Sequence, residues 1–163
     1  MRENLTFYEK QSFRKWWLWF LNIIFLVYMI YNAFENHAYF SISELVISIA
    51  VPILLIILSF VMRLETKIDE LGIRVKLFPF HIQFKYFPWR DIQKVYIRSY
   101  SPILEYGGWG LRFGFFGNGK AYNISGNMGL QIVFKNQKKL LIGTKKSEEM
   151  KKILEEIELG ARI

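Results

Sequence analysis

Two long apolar runs follow each other in the first third of the chain, and neither contains a charged residue. The first covers residues 16–34 and the second residues 45–62, which makes them 19 and 18 residues long. A helix needs roughly 20 residues to cross the ~30 Å hydrocarbon core of a bilayer. The two runs therefore predict two membrane-spanning helices, joined by the ten-residue connector Glu35–Glu44.

Two buried helices of a soluble protein, or a signal peptide, would also be apolar. Helices of soluble proteins usually show a polar stripe with a period of 3.6 residues. The strongly polar residues inside the runs are too few for such a stripe: Asn22, Asn32, Ser48 and Ser59. A signal peptide has one short apolar core followed by a small-residue cleavage site. We therefore expect residues 1–62 to form an N-terminal arm and a two-helix transmembrane hairpin.

Lysine and arginine residues flank the two runs on their outer sides and are absent from the connector. They are Arg2, Lys10, Arg14 and Lys15 before the first run, and Arg63, Lys67, Arg74 and Lys76 after the second. Short segments rich in Lys and Arg stay in the cytoplasm. The sequence thus predicts a multi-pass protein of the inner or plasma membrane with both termini cytoplasmic. Tyr39 and Phe40 suit the outer interface, where aromatic side chains concentrate.

Residues 63–163 are enough for one small domain, and they carry the positive charge of the chain. They contain 18 Lys or Arg against 10 Asp or Glu, a net charge of +8. A basic domain beside an anionic leaflet gains about 1 kcal/mol for each basic residue close to the surface. The chain has no cysteine, which excludes disulfides and thiolate metal sites.

Beyond residue 63 the apolar pattern alternates, as is typical of β-strands. The predicted strands lie near residues 64–70, 73–78, 81–87, 93–99, 111–115, 121–125, 130–135 and 138–143. A helix is expected over about 147–159, because Ser147 can cap it and an i, i+3, i+4, i+7 apolar face follows. The order predicts an α+β membrane protein: the two-helix transmembrane hairpin, then a pleckstrin-homology-like (PH-like) antiparallel β-barrel or sandwich closed by an amphipathic helix. An independent small β-sandwich is the alternative.

Several short segments between residues 63 and 150 carry a resemblance. They are Leu64-Glu-Thr-Lys-Ile-Asp-Glu70, Phe78-Pro-Phe80, Pro88-Trp-Arg-Asp-Ile92, Tyr100-Ser-Pro-Ile-Leu-Glu-Tyr-Gly-Gly-Trp-Gly110, Ala121-Tyr-Asn-Ile-Ser-Gly-Asn127 and Leu141-Ile-Gly-Thr144. In them the chain resembles an uncharacterised family of small bacterial two-span membrane proteins with a PH-like cytoplasmic domain. The resemblance implies the fold and the membrane placement, and it brings no catalytic residues.

Two groups of basic residues are candidates for a lipid-facing surface. Lys67, Arg74 and Lys76 have a spacing similar to the phosphoinositide-binding pattern of eukaryotic PH domains, although the turn between the two strands is short. The second group surrounds the last hairpin and consists of Lys135, Lys138 and Lys139, with Lys145 and Lys146 nearby. Lysines on exposed strand faces are more often simply solvated.

One loop combines charge, aromatic rings and glycine. It comprises Glu105, Tyr106, Gly107, Gly108, Trp109, Gly110 and Arg112. Glycine lets a partner approach the backbone, and a tryptophan supplies an apolar anchor, so the loop is a candidate recognition loop. We favour the alternative that Trp109 packs on the domain and the glycines form a tight bend.

The remaining motifs predict no chemistry. Residues 114–120 match the G-x-x-x-x-G-K part of a phosphate-binding loop, but Ala121 replaces the Mg²⁺-binding Ser or Thr and no helix start follows. His37 and His81 are the two histidines and lie far apart in the sequence, which is unlike a metal site. We therefore expect no catalytic residue, no metal and no cofactor.

These features predict a non-enzymatic membrane protein whose tethered domain contacts anionic lipid headgroups or a partner protein. The alternative is an accessory subunit of a larger membrane complex, bound through the spans and the Tyr106–Gly110 loop. The expected partners are the lipid bilayer, anionic headgroups, and another membrane protein or a second copy of the chain. Nucleic acid is not expected, because the basic residues alternate with aliphatic ones rather than with a stacking platform of aromatic rings.

Overall fold

The chain folds into two compact units. The computed structural model describes residues 6–13, 16–35 and 41–161. One unit runs from Phe13 to Met62, and the other combines the described residues up to Ser12 with those from Arg63 onward. Some residues named in the sequence analysis lie outside the described part: Arg2, Arg14, Lys15, His37, Tyr39 and Phe40.

The helical unit consists of α1 (Trp16–Glu35) and α2 (Ile42–Val61). The helices are antiparallel neighbours, since the Trp19 ring near the start of α1 lies 3.9 Å from the Phe60 ring near the end of α2. A capping box begins α2: the Ser41 hydroxyl accepts from the Glu44 backbone N–H, and the Glu44 carboxylate accepts from the Ser41 N–H.

Among the described residues, α2 is the one helix long and apolar enough to cross a membrane. It has 20 residues and a mean hydropathy of 2.7, and only 6% of its apolar window is buried. The described apolar part of α1, Trp19–Glu35, is shorter than a span. The prediction of a two-helix transmembrane hairpin is therefore wrong as an architecture, because one helix, and not two, combines the length and the composition of a span in the part of the chain that the structure describes.

A strand precedes the helices, where the sequence analysis places only an arm. Strand β1 (Phe7–Ser12) pairs antiparallel with β2 (Arg63–Asp69), and Ser12 lies opposite Arg63. Its alternating burial shows why it forms: Phe7, Glu9 and Gln11 point inward while their neighbours face solvent. Alternation over six residues including two polar inward positions is a weak sequence signal. In chain order the helices are thus inserted between two paired strands.

The nine strands of the described residues form two sheets. The first has the order β1–β2–β3–β4, with β3 at Gly72–Phe78 and β4 at Lys85–Pro88. The second has the order β5–β8–β9–β7–β6. Its strands are β5 (Ile92–Ser99), β6 (Gly110–Phe113), β7 (Lys120–Asn123), β8 (Met128–Phe134) and β9 (Lys139–Thr144). Two further helices are α3 (Pro102–Tyr106) and α4 (Ser147–Ala161).

The predicted single PH-like barrel is therefore wrong, although the chain is α+β. Strands β7 and β9 are parallel, so the second sheet is mixed rather than antiparallel. Strand β4 covers four residues instead of the seven predicted at 81–87, and it forms the edge of the first sheet. Alternation along one strand does not encode the partner or its direction, which is why the sequence could not separate two sheets from one barrel.

The core of the β unit lies where the two sheets meet. The first sheet alternates, with Leu64, Ile68 and Val75 fully buried on its inner face. The central strands β8 and β9 are buried along most of their length, so their sequences read as continuous apolar runs. Helix α4 occupies the predicted region of the chain and buries Met150, with Glu148 and Glu149 in its first turn. Acidic residues there are favoured by the helix dipole.

Polar side chains of β1 bridge to the second sheet. The Thr144 hydroxyl donates to Glu9 Oε2 (2.6 Å), and the Lys145 backbone N–H donates to Glu9 Oε1 (2.9 Å). Gln11 Nε2 donates to the Gly143 carbonyl (2.8 Å). These bonds satisfy polar groups that would be costly if buried alone, and they fix the separation of the two sheets on one side.

Candidate functional site

A cavity of about 870 Å³ opens within the β unit, on the side of the second sheet that faces β4. Its wall comes from β4, from the segment between β6 and β7, and from the β8–β9 hairpin. The lining residues are Lys85, Phe87, Asp91, Phe113, Gly114, Gly117, Gly119, Lys120, Tyr122, Phe134, Lys135, Asn136, Gln137, Lys138, Lys139 and Leu140. We call this cavity the lysine pocket, because five lysines and one acid line it.

Strand β4 supplies one wall through its inward-facing positions. Lys85 lies opposite Val75 and Phe87 opposite Ile73, and both partners are fully buried. Directly opposite residues share a face of a sheet, so Lys85 and Phe87 also point toward the second sheet. The Phe87 ring lies 5.3 Å from the Phe134 ring of β8. This pair forms an apolar floor next to the charged groups.

The β8–β9 hairpin supplies three lysines in a short turn. Gln137 takes a positive φ of 65°, and the Phe134 backbone N–H donates to the Lys138 carbonyl (2.9 Å). The Asn136 side chain accepts from the Lys138 N–H (3.1 Å), an Asx-type contact that stabilises the turn. A turn this tight keeps Lys135, Lys138 and Lys139 close together. We call them the hairpin lysines.

The glycine-rich segment 114–120 supplies the opposite wall. The Gly114 N–H donates to the Gly119 carbonyl (2.6 Å), which closes the loop. A Cβ on Gly119 would stand 2.7 Å from the Lys139 Cβ, and the residue has a φ of +77°, so glycine is required there. Lys120 follows, and its Nζ lies 5.3 Å from the centre of the Phe113 ring. The segment runs into strand β7, which lies close to the strand predicted near residues 121–125.

The electrostatics of the lysine pocket are dominated by unpaired cations. None of its five lysines forms an ion pair with a carboxylate in the part of the chain that the structure describes. Its one acid, Asp91, faces Arg90 instead (3.8 Å). Lys85 Nζ donates to the Tyr122 hydroxyl (3.3 Å). The pocket is therefore complementary to an anion.

His81 lies close enough to two of these lysines for their charge to affect its pKa. Its ring meets the Tyr122 ring edge-on, with centroids 4.9 Å apart. Burial lowers the pKa of His81, and the positive charges of Lys85 and Lys120 lower it further. Burial is thus the main cause of the lowered pKa, and the two lysines add to it because they disfavour a further positive charge nearby.

The other predicted basic group lies on a different surface. Lys67, Arg74 and Lys76 share the outer face of the first sheet with Tyr8 of β1 and with two aromatic residues at β4, Phe84 and Tyr86. Lys67 Nζ lies 5.3 Å from the centre of the Tyr8 ring, and the Arg74 guanidinium lies 5.2 Å from that of Tyr86. We call this surface the basic face.

Acids neutralise most of the basic face. Arg74 forms an ion pair with Asp69, and Lys76 Nζ lies 3.6 Å from Glu65 Oε1. Glu65 also accepts a hydrogen bond from the Tyr8 hydroxyl (3.2 Å). Two of its three cations are thus paired, and all three lie over aromatic rings. The basic face and the hairpin lysines do not form one surface. The basic face lies on the outer side of the first sheet, whereas the hairpin lysines line the pocket on the inner side of β4.

The residues of the predicted recognition loop make contacts within the β unit. Tyr106 is buried at the end of α3, and its hydroxyl donates to the Asn118 carbonyl (3.3 Å). Gly107, Gly108 and Gly110 all have positive φ values. They form the bend that leads from α3 into β6, which only glycine adopts without strain. Arg112 Nε donates back to the Trp109 carbonyl (2.9 Å).

Glu105 belongs to a polar cluster next to that loop. Arg98 Nη2 donates to Glu105 Oε2 (2.7 Å) and to the Tyr106 hydroxyl (3.2 Å). The hydrogen bond from Arg98 holds the pKa of Glu105 below its usual value, and it raises the pKa of Arg98. Burial raises the pKa of the neighbouring Tyr100 to about 12. The cluster ties β5 to α3, a structural role.

Sequence reasoning found three of the five pocket lysines and missed Lys85 and Lys120. Lys85 lies in the strand predicted near residues 81–87, and no sequence signal distinguishes it from other lysines on strands. Lys120 lies in the G-x-x-x-x-G-K match, so a signal was present. The apolar wall was not found either, because Phe87, Phe113 and Phe134 come from three separate segments.

Neither a protein-family model nor a curated protein matches this sequence. In residues 6–13, 16–35 and 41–161, no three His, Asp or Glu side chains come together as metal ligands could. The lysine pocket is therefore the feature on which a functional interpretation can be built.

Proposed function

We propose that the chain is a non-enzymatic, membrane-associated binding protein whose lysine pocket holds the anionic headgroup of a lipid. The observation that carries the proposal is the set of five lysines without acidic partners around a cavity of about 870 Å³. Ionic groups facing each other without counter-charges are unfavourable in a free protein, and an anionic ligand relieves that repulsion.

The composition of the pocket wall supports a lipid over a small inorganic anion. Phe87, Phe113 and Phe134 line the same cavity as the lysines. Ligand pockets combine apolar walls with a few polar groups that fix orientation. An amphipathic ligand satisfies both halves of this wall, because its charged group meets the lysines and its glycerol and first methylenes meet the rings.

The helical unit supports a bilayer as the source of that lipid. Helix α2 exposes large apolar side chains over much of its surface, for example Val46, Leu54 and Phe60, which are 56–63% exposed. A helix that is apolar all round is either buried in a protein core or lies in a membrane, and α2 is not covered by its own chain. The basic flanks of the helices favour the cytoplasmic side for the β unit.

The test measures lipid binding by the full chain in a neutral detergent. Native mass spectrometry with dihexanoyl phosphatidylglycerol and dihexanoyl phosphatidylcholine gives the affinity for an anionic and a zwitterionic headgroup. We expect the wild type to prefer the anionic lipid. Replacing the three hairpin lysines by glutamine removes about 1 kcal/mol each and weakens that binding by roughly 100-fold.

The matched control is the triple variant Lys145→Gln, Lys151→Gln and Lys152→Gln. It changes the net charge equally and alters exposed residues outside the pocket wall. Binding should fall less than threefold in this control. Equal losses in both triples would mean that net charge alone attracts the lipid, and a wild type without preference for the anionic headgroup would exclude the proposed function.

A further inference from the structure

Four apolar side chains are strongly exposed at one side of the second sheet. Ile103 and Leu104 of α3 are 61% and 79% exposed, and Phe113 and Phe115 are 66% and 51% exposed. We call these four residues the apolar patch. Exposed apolar side chains that cluster, rather than occurring singly, mark a surface that contacts a partner or a membrane.

Phe115 of the apolar patch lies beside the end of α3, the helix that carries Ile103 and Leu104. Gly107, at the end of α3, donates its N–H to the Ile103 carbonyl (2.8 Å). The Phe115 ring lies 3.5 Å from the position that a Cβ on Gly107 would take. Helix α3 therefore packs its last turn beside Phe115, and Leu104 is within one helical turn of that contact.

The apolar patch continues into the lysine pocket. Phe113 belongs to both, since it also lines the pocket. Lys120 Nζ lies 5.3 Å from the centre of its ring. Gly114 joins Phe113 to Phe115 and also lines the pocket. A surface that is apolar on one side and strongly basic on the other fits an anionic bilayer, where headgroup phosphates lie just outside the hydrocarbon.

We infer that the apolar patch enters the interface of an anionic bilayer and so presents the lysine pocket to the headgroup layer. This inference rests on the proposed function and adds the orientation of the domain on the membrane. The lysines attract the domain to an anionic surface, and insertion of Leu104 and its neighbours then keeps it there. Without the patch, the pocket would have to draw its lipid out of the bilayer against the hydrophobic effect.

The absence of cysteine from the chain makes a direct test possible. A single Leu104→Cys variant is labelled with the environment-sensitive fluorophore NBD, and the full chain is reconstituted into nanodiscs of phosphatidylglycerol or phosphatidylcholine. In the anionic discs we expect a blue shift of about 10 nm or more and quenching by doxyl-labelled lipid, as for a label that enters an apolar environment. The same label at Lys152→Cys, on the exposed face of α4, should change in neither.

A second variant separates insertion from folding. With the label at Phe115→Cys, the double substitution Ile103→Ser and Leu104→Ser should remove at least half of the blue shift. The matched control Leu71→Ser, a residue that is 64% exposed in the turn between β2 and β3, should leave it unchanged. Because all four residues are exposed, none of these substitutions opens a cavity in the core.

The outcomes distinguish this inference from the proposed function. If dihexanoyl phosphatidylglycerol still binds through the hairpin lysines but the label at Leu104→Cys stays in water in anionic discs, the apolar patch does not enter the membrane and the inference is wrong. The label could also be shielded from water equally in both kinds of disc, and only in discs that hold a second copy of the protein. That result would mean that the patch contacts protein instead of lipid. If the wild type shows no preference for the anionic lipid, both the proposed function and this inference are wrong.

Discussion

The basic face and the lysine pocket both present a cluster of cations on a β-sheet, but they differ in the acids beside them. On the basic face, the register places Glu65 directly opposite Lys76, and the turn places Asp69 within reach of Arg74. In the pocket, the hairpin lysines have uncharged neighbours, Asn136 and Gln137. Two of the three cations of the first cluster are thus paired within their own sheet, while the lysines of the second have no acidic partner among the described residues.

The difference shows that the number and spacing of cations do not identify an anion site. Partly exposed ion pairs like those of the basic face contribute up to about 1 kcal/mol to stability, and they also lower the potential that a ligand would experience. What matters is whether strand pairing brings an acid opposite each base. The basic face is therefore interpreted as a solvated, self-paired sheet surface, and the lysine pocket as the binding surface.

The largest expected effect comes from the wall of the lysine pocket. Gly119→Ala places a methyl group against Lys139 and forces an alanine into a φ of +77°. We expect the free energy of unfolding of the β unit to fall by roughly 2–4 kcal/mol, and anionic-lipid binding to be lost while the basic face is unaffected. Urea unfolding of the full chain in detergent measures the first effect.

Gly117→Ala is the control for that variant. Its φ is +78°, but nothing lies within 4 Å of the added methyl group, so only the backbone strain of about 1–2 kcal/mol remains. Equal destabilisation by both substitutions would show that the contact between segment 114–120 and β9 does not shape the pocket.

An intermediate effect on lipid binding is expected when the acids of the basic face are removed, so that its cations lack acidic partners as those of the pocket do. The double variant Glu65→Gln and Asp69→Asn removes the acids that pair with Lys76 and Arg74. At about 1 kcal/mol per charge near an anionic surface, binding to phosphatidylglycerol vesicles should strengthen by roughly 30-fold. Vesicle flotation at low salt measures this, and Glu148→Gln with Glu156→Gln on α4, two exposed acids outside the ion pairs of the described residues, is the charge-matched control. No gain beyond that control would mean that pairing is not what separates the two clusters.

The smallest effect concerns the paired charges next to the predicted recognition loop. The pKa of Glu105 is lowered from 4.5 by Arg98, so the ionised form stabilises the folded state above the unfolded pKa, and this contribution is lost as the pH falls through the folded pKa. Glu105→Gln should lower the free energy of unfolding by about 1 kcal/mol or less at pH 7, since the pair is partly exposed. The difference from wild type should vanish well below pH 4.5. A difference that persists at low pH would assign the loss to packing instead of charge.

The sequence predicted single elements better than their arrangement. The apolar runs, most of the strands and the C-terminal helix could be found, because each is encoded by local periodicity. Strand β1 was missed because two of its three inward positions are Glu9 and Gln11, whose partners lie more than 100 residues away. The parallel pairing of β7 with β9 has no local signal either, and it is this pairing that brings Lys120 beside Leu140 and closes the pocket.

The same limit applies to the candidate site. The hairpin lysines can be predicted because they are close in sequence. Lys67, Arg74 and Lys76 are an equal candidate in the sequence, because it does not show that Asp69 pairs with Arg74 and Glu65 with Lys76. In the recognition loop, the favoured alternative of a glycine bend agrees with the positive φ values of Gly107, Gly108 and Gly110. Whether that loop also meets a partner protein stays a prediction.

The most direct test of the lysine pocket is a residue-resolved titration of its amines. The lysines of the full chain are reductively ¹³C-methylated, assigned by single Lys→Arg variants, and followed by NMR while dihexanoyl phosphatidylglycerol is added. We predict saturable shifts at Lys85, Lys120 and the hairpin lysines, with little change at Lys67 and Lys76. Equal shifts on both surfaces, or larger shifts on the basic face, would contradict the assignment of the pocket as the lipid site.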